Sequence, residues 1–315
     1  MPTQAPFPVN PALTAIAIAY ANQAMIADLV LPRVPAHDAF KYTVRNKDEL
    51  FTIPDTKLGR KSEANDVEFG GTEVTDSTQD YGLRDTVPLS DIRMAEQTHM
   101  DPLGSATENL TRLMTLDREK RVAGVVFDAA KYATANKATL SGTSQWSDYT
   151  NSNPLDAILA AMDTMIMRPN ALVLGQAVWT KLRQHPKIVE AIVASGAGGA
   201  NAVGAVARQA LADLLELQAI YVGQGFLNTA VKGATVAYSR VWGKHAALIY
   251  QEPVTGTDTA ATFGFTAESG GGVRVRDWFE PNVGSDGAQV IQVVDTLKEV
   301  IPANDFGYLF TNAVA

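Results

Sequence analysis

The sequence predicts an α+β fold, with helices and sheets segregated along most of the chain rather than alternating throughout. Three observations carry this. Residues 41–90 hold strand formers spread thinly between turn formers, with 17 charged residues in fifty. A stretch from Ser105 to Ala135 has no proline, one glycine (Gly124) and apolar residues at helical spacing. Beyond Arg168, short strand-like and helix-like runs alternate.

The first 35 residues read as an extended arm. Prolines at 2, 6, 8 and 11, and again at 32 and 35, fix their own dihedrals and disfavour helix just before them. Between them, Leu13, Ile16, Ala17, Tyr20, Ala24 and Ala27 fall near helical spacing, which predicts one short helix within Asn10 to Leu31. From 41 to 90 there are seven basic and ten acidic residues, well above the 19% charge of the whole chain. Phe40, Tyr42, Val44, Phe51, Ile53, Val67, Phe69 and Val74 sit among Pro54, Asp55, Gly59, Gly70 and Gly71. That pattern predicts long strands in a hairpin with little core of its own, a structure marginal by itself and expected to project and settle on a neighbour. A long surface loop is the plainer alternative.

The next element is the long helix, expected over Ser105 to Ala135 and opened by a Ser105-x-x-Glu108 capping box. At 1.5 Å per residue it would be roughly 45 Å long. A polar loop around Trp146 and Tyr149 follows, and Pro154 opens a helix through Ile158, Leu159, Met162 and Ile166. Strands are expected at Ala171–Leu174, Ala219–Val222, Ala234–Tyr238, Ala246–Tyr250, Thr262–Thr266, Arg274–Phe279 and from Gln289 through Val300 and Ile301. Helices are expected at Ala177–His185, Lys187–Ala194 and Ala205–Leu215.

Composition narrows the function. The 315 residues are 46% hydrophobic, enough for real cores, which excludes a wholly disordered chain. A formal charge of -8 lacks the basic footprint of a nucleic-acid reader, though a locally basic face stays open. Cysteine is absent, which excludes disulfides, thiolate metal sites and a cysteine nucleophile. The apolar stretch Leu13–Ala27 is broken by Tyr20, Asn22 and Gln23 and has no basic lead-in, so no secretion signal is read. No window has the roughly 18 to 20 uninterrupted apolar residues of a membrane-spanning helix, and a soluble protein with no membrane partner is expected.

Motifs of catalysis are equally sparse. His37, His99, His185 and His245 are scattered, without metal-ligand spacing. Gly196-Ala-Gly198-Gly199 lacks the Gly-Lys-Ser/Thr of a phosphate loop and follows a helix-like segment, so it reads as a flexible loop. There is no Gly-x-Ser-x-Gly elbow and no Ser-x-x-Lys pair. No catalytic residue, cofactor or metal is therefore assigned. Trp278, Phe279, Tyr308 and Phe310 sit in the C-terminal strands and read as core or inter-subunit packing. The densest basic cluster, Lys57, Arg60 and Lys61, precedes Glu63, Asp66 and Glu68. These are either solvated loop charges or complementary charges that register one subunit's loop on another's surface.

An arm, a charged projecting hairpin, a long helix, an α/β unit and a returning strand suit a shell subunit better than an enzyme. The order of parts resembles the major capsid proteins of tailed phages, with the Hong Kong 97 type of fold. The passages that carry the resemblance are Ile26-Ala-Asp28-Leu-Val-Leu31-Pro32-Arg-Val-Pro35 with Phe40-Lys-Tyr42, then Arg168-Pro-Asn170-Ala-Leu-Val-Leu-Gly175 with Val178-Trp179 and Leu182 to Pro186. Asp277-Trp278-Phe279-Glu280-Pro281 and the strand Gln289 to Asp295 complete them. Their joint order spans essentially the whole chain, while each alone is weak.

The resemblance implies an N-terminal arm (1–35), an extended loop (36–90), a peripheral domain with a spine helix (91–167), an inserted axial domain (168–272) and a return to the peripheral domain (273–315). It implies hexamers and pentamers that tile an icosahedral shell around double-stranded DNA, without sequence-specific binding, in a virion assembled in the bacterial cytoplasm. A chain that starts at Met1 with the arm leaves no room for an N-terminal scaffolding segment, so a separate scaffolding protein, and a portal, are the expected partners. Some relatives crosslink a loop lysine to a neighbour's asparagine. Lys57 and Lys61 lie in the right element and Asn282 is a conceivable partner, but nothing fixes these matches and no such chemistry is assigned. Three alternatives stand beside this reading: an encapsulin-type compartment shell, an α/β enzyme built on 168–272, and a tail-tube subunit.

Overall fold

Two sheets and the long helix that joins them make up the body of the chain. The computed structural model describes residues 25–45, 51–61, 63–67, 70–98, 101–194, 206–231, 233–253 and 262–315. In chain order these hold α1 (Ala27–Val30), β1 (Arg33–Pro35), β2 (Ala39–Arg45), β3 (Gly71–Ser77), β4 (Gln79–Pro88), α2 (Leu89–Thr98), α3 (Pro102–Val126) and β5 (Lys137–Thr139). Then come α4 (Pro154–Thr164), β6 (Ala171–Gly175), α5 (Gln176–Leu182), α6 (Pro186–Ala194), α7 (Arg208–Leu214) and β7 (Ala219–Gly223). The chain ends with β8 (Phe226–Asn228), β9 (Tyr238–Arg240), β10 (Ala246–Ile249), β11 (Phe265–Glu280), β12 (Ala288–Val300) and β13 (Gly307–Thr311). Among the described residues no helix is long and apolar enough to cross a membrane.

The first sheet has the order β1-β11-β12-β4, with β1 parallel to β11 and the other pairs antiparallel. The expected strands Thr262–Thr266 and Arg274–Phe279 are one strand, β11, with a register shift between Ser269 and Arg274. Gly270, Gly271 and Gly272 make that bulge, all with positive φ, the region where side chains are strained. Residues 79–88, grouped with the extended loop by sequence, pair along β12 as a strand of this sheet. Their charged, Gly-interrupted pattern hid them, because only one face is covered. The N-terminal half of α3 covers it through Ala106 and Leu110, against Val87, Val275, Ile291 and Val293.

The second sheet has the order β5-β13-β10-β6-β7. Ala171–Leu174 and Ala246–Ile249 are solid apolar runs because both faces are covered. Leu172, Leu174, Ala246, Leu248 and Phe310 face α4 to α7, while Ala171, Val173, Ala247, Ile249 and Leu309 face Val122, Ala123 and Val126 of α3. The helix thus lays one half on each sheet. Its fully buried Val122 and Val126 are each worth about 1.5–3 kcal/mol of burial.

Several sequence expectations are corrected. The long helix begins at Pro102 and ends at Val126, not over Ser105–Ala135. Asp101 is the cap: its side chain accepts from the Gly104 amide at 2.9 Å, and Pro102 fills the first position, where its missing N–H costs nothing. Ser105 is already helical and donates to the Asp101 carbonyl. At the far end Asp128 caps a separate turn of 3₁₀ helix, and the buried Tyr132 hydroxyl donates to the Val126 carbonyl at 2.6 Å. The rod is therefore about 37 Å long. Ala234–Tyr238 is not a strand; the strand there is Tyr238–Arg240, paired with Phe226–Asn228. The strand Gly307–Thr311, which carries Tyr308 and Phe310 as their sequence placement expects, fills the second sheet between β5 and β10. Of the arm's expected helix over Asn10–Leu31, only the four-residue α1 falls within the described residues. His99 and Gly196–Gly199 lie outside them.

Candidate assembly surfaces

β2 and β3 pair antiparallel from Ala39↔Ser77 to Arg45↔Gly71, so a hairpin stands off the first sheet. Its base is fixed by Phe40 and Tyr42 packing toward Val34, Phe265, Ala267 and Val300. The expected long strands are seven residues each, and 52–59 and 63–67 have no regular secondary structure. Lys57, Arg60, Lys61, Glu63 and Asp66 are all exposed, and none makes an ion pair among the described residues. Glu68 lies outside the described residues. The tip is held locally instead: Asp55 accepts from the Lys57 amide with its carboxylate and from Asn65 with its carbonyl.

The charges share this tip with four apolar side chains, three of which, Phe51, Ile53 and Val67, the sequence pattern assigns to strands. Phe51 (59% exposed), Ile53 (88%), Leu58 (59%) and Val67 (48%) have no core to enter. Their sequence signal was present. Apolar residues among prolines and charges, without period 2, do not build a strand. Four large exposed apolar side chains on a projecting segment mark a surface made to be covered.

The other end of the loop-and-arm region is anchored in the body. Arg118 and Glu119, adjacent on α3, are both buried. The Glu119 carboxylate accepts from the backbone amides of Ile26 (3.0 Å) and Ala27 (2.9 Å) and from the Trp242 indole N–H. Burial pushes the Glu119 carboxyl above its ordinary value, against the pull of those three donors. Arg118 donates to Asp28, to the Leu31 carbonyl and to Thr266. Arg33 meets Asp28 at 2.9 Å, Glu268 at 2.8 Å and Asp295 at 3.1 Å. Arg121 pairs with Glu299 at 3.2 Å and with Asp117 at 2.6 Å. Residues 26–33 are thus pinned to the helix and to β11 and β12 at once. Burial would raise the Asp28 carboxyl, but Arg118 and Arg33 outweigh it and hold it below its ordinary value.

The histidines do not gather. His185 is buried, hydrogen-bonded to Ser152 and set edge-on against Tyr149, and burial lowers its pKa. His245 stacks on Phe127 and accepts from the Asn312 amide. Asn282 sits in the β11–β12 turn and donates to Glu280. No group of metal-ligating side chains is found among the described residues.

A mixed helix-and-sheet body that exposes a projecting apolar and charged tip, and roots its terminal segment in a buried ion network, is built as a subunit of an assembly. The family model described as "Phage capsid protein" matches residues 78–284, well over half of the chain. The major capsid protein of Pseudomonas phage JBD67 is 48% identical over 314 residues, covering 99% of each chain. The chain belongs to the phage capsid protein family, and its role is that of a major capsid protein.

Solved structures agree on the fold. A phage-related protein from Bordetella bronchiseptica RB50 superposes with a TM-score of 0.76 at 24% identity, over 98% of both chains. The capsid structure of Cyanophage P-SCSP1u gives 0.60 at 10% identity, over 93% of this chain and 89% of that one.

Proposed function

We propose that the chain has the Hong Kong 97 type of fold and assembles as hexamers and pentamers into an icosahedral phage head enclosing double-stranded DNA. In this reading 1–35 is the arm, 36–90 the extended loop, 91–167 and 273–315 the peripheral domain, and 168–272 the axial domain. A separate scaffolding protein and a portal are its partners, and assembly takes place in the host bacterial cytoplasm. The protein is structural: shell closure is driven by interface burial, and many weak contacts become cooperative when the shell closes. DNA is enclosed without sequence-specific contacts, in keeping with a net charge of -8.

The observation that carries the reading is the loop tip, where exposed Phe51, Ile53, Leu58 and Val67 lie near Lys57, Arg60, Lys61, Glu63 and Asp66, which make no ion pair among the described residues. These residues serve as the assembly contact, the apolar ones for affinity and the charged ones for register. Removing residues 54–69 tests it. The shortened chain is expected to stay soluble and folded, with a circular dichroism spectrum like the parent's, and to give no sedimentable shells. Normal shells from that deletion refute the role of the tip. The relative at 48% identity carries the name of a phage capsid protein rather than of a compartment shell or an enzyme, which favours this reading over the alternatives.

A further inference from the structure

Beside Trp179, a groove of about 610 Å³ runs between α5, the start of α7 and the edge strand β7. Its floor is apolar, with Val206 and Ala212, and no acidic residue lines it. Two guanidinium groups lie near the indole: those of Arg183 and Arg208 are each 5.9 Å from the Trp179 ring centroid. Neither has a carboxylate partner among the described residues, and the Arg183 Nε is buried without a hydrogen bond. An unpartnered buried donor beside a second unpaired cation calls for an anion from outside the chain. The indole ring beside the two cations also offers apolar contact next to that anion.

The same fold unit displays the complement on another surface. α7 packs on β7 at one edge of the second sheet, α6 touches both α7 and α4, and no residue of α4 lines the groove. The outer stripe of α4 is Asp156, Leu159, Ala160 and Asp163, all exposed, at the i, i+3, i+4, i+7 spacing of one helix face. Its two carboxylates are about 10.5 Å apart along the helix. The two guanidinium carbons, each 5.9 Å from one centroid, are no more than about 12 Å apart.

We propose, on the reading given above that the chain forms capsomers, that the Trp179 groove receives the α4 face of a second copy. Arg183 and Arg208 pair with Asp156 and Asp163, and Leu159 and Ala160 rest on the apolar floor. Because donor and acceptor are different surfaces of one unit, the contact is head-to-tail, and repeated by rotation it closes a ring.

Charge reversal tests it. R183E/R208E and D156R/D163R are each expected to cut the yield of sedimentable shells at least about tenfold, since like charges then face each other. The four changes combined in one chain are expected to restore it. Thermal melts check that each variant folds, and R208E alone, at an exposed position, stands in if Arg183 proves structural. Reversals that leave shells normal, or a quadruple variant that stays assembly-defective, overturn the inference. So do shells in which only the arginine reversals matter and packaged nucleic acid falls, which would make the groove a phosphate site. Failure of the parent chain to form shells refutes the capsomer reading itself, a result distinct from any of these.

Discussion

Glu119 fixes Ile26 and Ala27 to the body. Its buried carboxylate takes three N–H donors, from Ile26, Ala27 and Trp242, which lie 93, 92 and 123 residues away in sequence. Nothing in the local sequence announces this: Arg118-Glu119 reads as two more charges on an amphipathic rod, and only the sandwich of α3 between α1 and Trp242 turns them inward. E119Q keeps the shape but puts an amide NH₂ where an acceptor is needed, so it is expected to cost about 1–3 kcal/mol in urea unfolding. An unchanged midpoint would show that the anchor is idle. Asp28 gives a pH signature. Its folded-state pKa lies below the ordinary carboxylate value, so its contribution to stability is fully present above about pH 4 and is lost as pH falls through the lower native value. D28N is therefore expected to lower the melting temperature at pH 7 and to flatten its fall below pH 4. Parallel melting curves for the two proteins would contradict the pairing.

At the scale of elements, the solid apolar strands Ala171–Leu174 and Ala246–Ile249 were legible because burial on both faces leaves an unbroken run. β4 and β11 were misread or divided because one covered face gives a weak alternation, and three glycines interrupt β11. The long helix was legible in kind, not in extent. Its caps, Asp101 and the Asp128 turn, compete with a Ser105 capping box that has equally good local chemistry. Two strand-end glycines have a meaning that only the fold supplies. Gly175 and Gly223 are register partners at the ends of β6 and β7, where the Trp242–Gly243 backbone and indole cross over them. A Cβ at Gly223 would lie 2.0 Å from Trp242 Cδ1. G223A is expected to destabilise by about 1–3 kcal/mol, as overpacked cores do, and to shift Trp242 fluorescence. A stability equal to the parent's would mean that the crossing is looser than drawn. The loop tip is an element defined by what it lacks. F51S/I53S/L58S/V67S is expected to leave the melting temperature of the isolated subunit unchanged while abolishing shells, and a lowered melting temperature would place those side chains in the subunit's own core.

The described residues are organised around one helix that joins two sheets, with a hairpin, β2–β3, outside both of them. The order of parts was legible from sequence because composition changes at each transition: charged and core-poor, then helical, then alternating. The assembly surfaces were only half legible. Lys57, Arg60, Lys61, Glu63 and Asp66 were visible as a charge cluster, whereas the exposure of Phe51, Ile53, Leu58 and Val67, and the two arginines beside Trp179, depend on distant packing. The central claim is that the purified chain builds closed shells through these surfaces. Negative-stain electron microscopy with size-exclusion chromatography, with and without lysate of the source, tests it most directly. Closed particles tens of nanometres across, or rings of five and six copies, are the predicted result; a monodisperse monomer or dimer under every condition would contradict it.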